Sequence, residues 1–227
     1  MGAASVASSD ILVRLFLVWW TQFVFPTPIG QCDPVEGPKL VFSDADRLEV
    51  YERVRAYSKA RGDSQTAQAF FLAVAQRESH GRASVRHTRG SGENGLGPLG
   101  LNRRSHRAKW PGAWEDVCTP EVSVEIAHAI AWLAVDKYRA RTFLEVQAIY
   151  SGRWVKTDKG WRADPSDRTV RLICPRMRKL GKSCDTLISG RDLGARVALG
   201  DRPAFVAAHM LQADLGGPFA YLFGPGW

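Results

Sequence analysis

The chain has 227 residues, 45% of them hydrophobic, and a formal net charge of +8. That composition can bury a substantial core without metals or staples, so a globular protein is expected. The positive balance favours a polyanionic partner, whether nucleic acid, an anionic membrane or a carboxylate-rich polymer such as bacterial cell wall, and charge alone does not choose among them.

From Ile11 to Phe25 the sequence is almost continuously apolar. As a helix this run would extend roughly 22 Å, short of a bilayer core of about 30 Å. Residues 1–30 therefore resemble a signal peptide, which makes the protein secreted, periplasmic or otherwise of the cell envelope. Arg14 interrupts the run, and no Lys or Arg precedes Asp10; an uncleaved anchor through residues 11–25 is the alternative. Cys32, Cys118, Cys174 and Cys184 form an even set beyond this segment, with no CxxC pair. In an exported protein they suit two disulfides, in one of three connectivities. Cys174 with Cys184 closes a short loop, which leaves Cys32 with Cys118 by elimination.

Ser43 or Asp44 can cap a helix through about Arg61, with Val50, Val54 and Tyr57 on its buried stripe. A second helix follows "RGDS" and runs from about Gln65 to Ser79. Residues 81–118 are rich in glycine and scattered basic side chains, which predicts loops with a short hairpin. Thr119 and Pro120 start a helix that ends near Arg141, with Val122, Ile126, Ile130 and Leu133 on its buried face and Glu121 at its positive end. "TFLEVQAIY" forms a shorter helix stopped by Gly152. Residues 151–167 read as polar turns. Two helical segments follow, "DRTVRLICPRMRKLG", which Pro175 should kink or end, and "DRPAFVAAHMLQADLGG". The fold class expected is mainly α.

Glu78 stands out on the second helix. At about 100° per residue, Ala67, Phe71 and Val74 project within roughly 40° of it, so its carboxylate lies on the apolar stripe. Burial disfavours the charged carboxylate, as a general acid working near neutral pH requires. Equally, a glutamate in the last turn can reach solvent or pair with Arg77 or Arg82.

A helix ending in Glu78-Ser79, then "GPLGLN" with Gly97, Leu99 and Asn102, then "AIYSG" with Tyr150 and Gly152 form an ordered series. Over residues 45–155 it resembles the transglycosylase SLT domain of the lysozyme-like superfamily. Two positions depart from the family pattern: Gly100 stands where glutamine is usual, and Ser151 where asparagine is usual.

The resemblance implies a lysozyme-like α(+β) domain over residues 31–155, with a glycine-rich loop or small hairpin beside the catalytic helix. Residues 156–227 would add C-terminal helices packed on the same domain. It also implies cleavage of the β-1,4 bond between N-acetylmuramic acid and N-acetylglucosamine in peptidoglycan, by a monomer with no cofactor. Glu78 would be the general acid, and Tyr150 would aim its hydroxyl at that carboxyl. A lytic transglycosylase would need Glu78 alone, whereas an inverting hydrolase would need a second carboxylate about 6.5–9.5 Å away. Glu93 is the first candidate for that group, ahead of Asp116 and Glu115. Trp110, Trp114 and Trp154 are candidates to stack on sugar, one of the three being expected to do so.

Other chemistries fit less well. His80 and His87 flank Glu78 without an HExxH spacing, so no metal site is expected; His106, His128 and His209 read as ordinary surface or helix residues. Ser79 lacks a GxSxG elbow. Arg168, Arg171, Arg176, Arg178, Lys179 and Lys182 cluster without a nucleic-acid motif, so neither nucleic acid nor a stable membrane partner is expected. The alternative function is a non-catalytic wall-binding or structural module on a degenerate lysozyme-like fold.

Overall fold

Helix α1 (Asp44–Ala60) begins at a capping box: the Ser43 hydroxyl accepts from the Asp46 amide, and the Asp46 carboxylate accepts from the Ser43 amide at 2.8 Å. Val50, Val54 and Tyr57 form its buried stripe, as expected. Helix α2 (Gln65–Glu78) is capped by Ser64 and buries Ala67, Phe70, Phe71 and Val74. In this computed structural model the described residues are 28–34, 36–88, 94–102, 114–158 and 160–196. The apolar run at 11–25, Glu93, His106, Trp110, His209 and the segment "DRPAFVAAHMLQADLGG" lie outside them, as do the side chains of His87, Trp114 and Glu115.

After α2 comes a small antiparallel sheet in the order β1 (Arg86–Thr88), β2 (Asn94–Leu96), β3 (Leu101–Asn102). Arg86 pairs with Leu96, and Leu96 with Leu101. A short hairpin was expected here; a third strand extends it. A 3-10 turn (Trp114–Cys118) leads into helix α3 (Pro120–Asp136), which is buried on nearly every side. The helix stops at Asp136 rather than near Arg141, because the chain turns there and Arg139 takes a left-handed φ of 57°. Helix α4 (Phe143–Tyr150) has a capping box of its own between Thr142 and Glu145.

Residues 151–167 are not simply turns. They contain a hairpin of β4 (Trp154–Thr157) and β5 (Gly160–Ala163), with Trp154 opposite Ala163. Each strand is too short for alternation to stand out in sequence. Two short helices follow, α5 (Arg168–Arg171) and α6 (Cys174–Lys179). Pro175 opens α6 in its first turn, where a missing N–H costs nothing, so it divides the expected helix in two.

Helices α1, α2, α3 and α4 enclose one core. Phe70 meets Phe71 and Phe143 at ring-centroid distances of 5.4 Å, a spacing within the favourable range for aromatic pairs. Ile173, Met177, Ile188 and Leu193 belong to the same core. Two disulfides brace it, Cys32–Cys118 and Cys174–Cys184. This pairing matches the one suggested by loop length, and it suits an oxidising compartment.

The central helix carries charge into this core. Arg53 grips Glu121 with two bonds of 2.7 and 2.8 Å, Tyr57 and Arg61 both donate to Glu125, and His128 meets Asp63 at 2.9 Å. His128 is thus a buried structural partner of a carboxylate, not an ordinary surface or helix residue. Paired in this way, the buried charges avoid the several kcal/mol that an unpaired one costs. Among the described residues, no helix is long and apolar enough to cross a membrane.

Candidate active site

The last turn of α2 delivers Glu78 to the junction between the helical core and the β1–β2–β3 sheet. Ser79 ends the helix: its hydroxyl donates to the Ala75 carbonyl at 2.9 Å and accepts from the Gly81 amide at 3.1 Å. Its side chain is therefore turned into the protein and 3% exposed, which makes it a helix terminator. His80 then takes a left-handed φ of 53° and points to solvent. Among the described residues no group of three or more His, Cys, Asp or Glu could hold a metal.

The Glu78 side chain is 24% exposed. Arg77 places Nη1 3.1 Å from its Oε1. Arg82, the other candidate partner, pairs with Asp33. The same Arg77 nitrogen lies 3.4 Å from the Ser151 hydroxyl, which also accepts from Gln147 Nε2 at 2.7 Å. Ser151 thus reaches the acid through Arg77.

The glycine-rich turn covers the other side of the carboxylate. Gly97 has φ 75°, and a Cβ there would lie 2.0 Å from the Val117 carbonyl oxygen, so only glycine fits against the 3-10 turn. Gly100, at φ 64°, faces Glu78 itself. A Cβ on it would lie 2.9 Å from Glu78 Cβ and 3.0 Å from both Cγ and Oε2. The space that a side chain at position 100 would take is occupied by Glu78. On this backbone any larger side chain there would press against Glu78.

Tyr150 ties the third segment in. Its hydroxyl donates to the Leu99 carbonyl at 2.6 Å, and the Leu99 amide faces the Ser123 hydroxyl at 3.3 Å. Burial pushes the Tyr150 phenol well above its usual pKa; the nearby Glu78 charge reinforces this, and Arg77 partly offsets it. It remains a neutral donor at any physiological pH. Asn102 lies on β3 opposite Gly95, one strand from the turn. Trp154 packs on Tyr138 with ring centroids 5.0 Å apart.

Glu78, Arg77, Gly97, Leu99, Gly100, Tyr150 and Ser151 therefore converge from three separate segments. A cleft of about 450 Å³ opens beside them, lined by Asp33, Lys39, Arg47, Glu78, Ser79, His80, Arg82, Val85 and Arg86. Sequence reading missed its basic wall, because these cations come singly from different segments. The visible cluster at Arg168–Lys182 instead surrounds the Cys174–Cys184 disulfide, where Arg168, Arg171, Arg178 and Lys179 are exposed.

Fold and site together define a mainly helical domain with small antiparallel sheets and two disulfides, built around a half-buried glutamate at a helix end. Comparisons of the chain with protein-family models, with curated proteins and with solved structures give no match.

Proposed function

We propose that the chain is a lytic transglycosylase acting on the β-1,4 bond between N-acetylmuramic acid and N-acetylglucosamine of peptidoglycan, with Glu78 as general acid and then general base. The observation that carries this reading is the convergence on Glu78 of the turn at Gly97–Gly100 and the helix end at Tyr150–Ser151. These are the segments on which the resemblance to the transglycosylase family rests.

In the first step the Glu78 carboxyl gives its proton to the glycosidic oxygen, the C1–O bond breaks, and an oxocarbenium-like centre forms at C1. In the second, the Glu78 carboxylate takes the proton of the same sugar's 6-hydroxyl as that oxygen bonds to C1. The product carries a 1,6-anhydro end and Glu78 is again protonated. One carboxylate suffices. Gly100 allows the acid to sit close under the turn, and Tyr150 holds that turn through Leu99.

Mass spectrometry of the soluble muropeptides tests the chemistry. Anhydro ends support the proposal. Reducing ends indicate a hydrolase with a second carboxylate, and no release points to a binding module. The Arg77–Glu78 ion pair is the observation that favours the last of these, since a guanidinium favours the charged carboxylate over the acid form.

A further inference from the structure

The cleft beside Glu78 is richer in cations than its own carboxylates require. Lys39 comes from the segment held by the Cys32–Cys118 disulfide, Arg47 from α1, Arg82 from the turn after α2, and Arg86 from β1. Two carboxylates share the lining, and both are engaged. Asp33 is buried; it accepts from the Ser84 hydroxyl at 2.7 Å and the Leu40 amide at 3.1 Å, and it pairs with Arg82 at 3.4 Å. Glu78 pairs with Arg77.

Lys39, Arg47 and Arg86 have no carboxylate partner among the described residues. Among the described residues Lys39 Nζ and Arg86 Nε each reach only a backbone carbonyl, those of Pro34 and Asp33, at 3.3 Å. Arg47 Nε is buried and has no hydrogen-bond partner among the described residues. A buried donor without an acceptor is unfavourable unless one completes the site, and exposed Lys39 and half-buried Arg86 add positive charge beside it.

We propose that this cleft binds the carboxylates of a short acidic peptide: the stem peptide that the muramic residue carries next to the bond cleaved at Glu78. The proposal rests on the reading of Glu78 as the acid acting on peptidoglycan. Three points favour this occupant over a phosphate polymer. The cations line a concave site of small-ligand size, about 300–1,000 Å³ being usual for such pockets, rather than an extended stripe. Guanidinium groups match carboxylates two bonds at a time. The cleft also shares Glu78 with the candidate active site, so its occupant is held next to the reacting bond.

The first arm of the test needs no catalysis. Titration calorimetry with the free tripeptide L-alanyl-γ-D-glutamyl-meso-diaminopimelate, at physiological salt, should show binding to wild type and to Glu78→Gln. Binding should weaken about tenfold or more, roughly 1.4 kcal/mol, in Arg47→Gln and in Arg86→Gln, each with its thermal midpoint checked. The second arm compares cleavage of glycan strands bearing peptides with the same strands stripped by an amidase. Wild type should prefer the peptide-bearing strands, and the preference should collapse toward unity in each arginine variant.

No tripeptide binding, binding that both variants retain, or an unchanged preference would overturn the proposal. So would tighter binding of a short duplex DNA, which would make the cleft a phosphate site. Tripeptide binding without any glycan cleavage would instead uphold the cleft and remove the enzymatic reading of Glu78.

Discussion

Replacing Gly100 with alanine tests the geometry of the acid directly. A Cβ at this position meets Glu78 Cβ at 2.9 Å and Oε2 at 3.0 Å, whereas carbon contacts are comfortable at about 3.5–4.0 Å. The glutamate must therefore retreat by roughly 0.5–1 Å, and a misplacement of about 1 Å can cost a reaction on the order of 100-fold. Alanine at φ 64° also costs about 1–2 kcal/mol in backbone conformation, or very roughly 2–8 °C in midpoint for a chain of this size. Gly181→Ala is the matched control: its φ is 72° and, among the described residues, nothing lies within 4 Å of the added methyl. Turbidity loss of purified peptidoglycan, read beside thermal melts, should show similar destabilisation in both variants and a collapse of activity only in Gly100→Ala. Gly100→Gln, which restores the residue usual in the resembling family, should be at least as inactive. If Gly100→Ala clears wall within about twofold of wild type, the contact does not position the acid.

Three further outcomes follow from the same contacts. Tyr150→Phe removes the donor to the buried Leu99 carbonyl; it should lower stability by about 1–2 kcal/mol in urea melts and reduce turnover more than substrate binding. In Arg77→Met the guanidinium that favours the charged Glu78 is gone. The acid then stays protonated to higher pH, and the alkaline limb of the pH–rate profile should move upward; an unmoved or lowered limb contradicts the pairing. Losing the Cys32–Cys118 disulfide to serines, with its separation of 86 residues, should cost about 4–5 kcal/mol. Losing Cys174–Cys184, separated by 10, should cost about 2–3 kcal/mol, and denaturant melts that reverse this order would show that chain entropy does not dominate.

Local signals in the sequence located most helices well, because each is set by neighbours a few residues apart. Ser43 and Asp46 begin α1, Val50, Val54 and Tyr57 mark its inner face, and Glu78 sits on the apolar stripe shared with Ala67, Phe71 and Val74. What stayed hidden depends on distant partners. His128 is recognisable as a core residue only once Asp63, 65 positions away, lies 2.9 Å from it. The β4–β5 hairpin has strands of four residues each, too few for a pattern. Pro175 carries the same local signal whether it ends a helix or begins one, and packing of Ile173 and Met177 into the core decides. The site was legible as three motifs but not as a contact. Nothing in "GPLGLN" says that the last glycine faces a glutamate twenty-two positions earlier, and the four cations of the cleft come one at a time from four stretches of chain.

The proposed function turns on Glu78 as the acid. Glu78→Gln keeps the size of the side chain and one carbonyl oxygen while removing the transferable proton. Wild type and variant, compared on the same purified peptidoglycan, give the most direct measurement. The variant should fold with an unchanged thermal midpoint, still bind the wall, and clear it at least about 100-fold more slowly, as expected when a general acid is lost. Clearing at the wild-type rate by a folded Glu78→Gln protein would contradict that role.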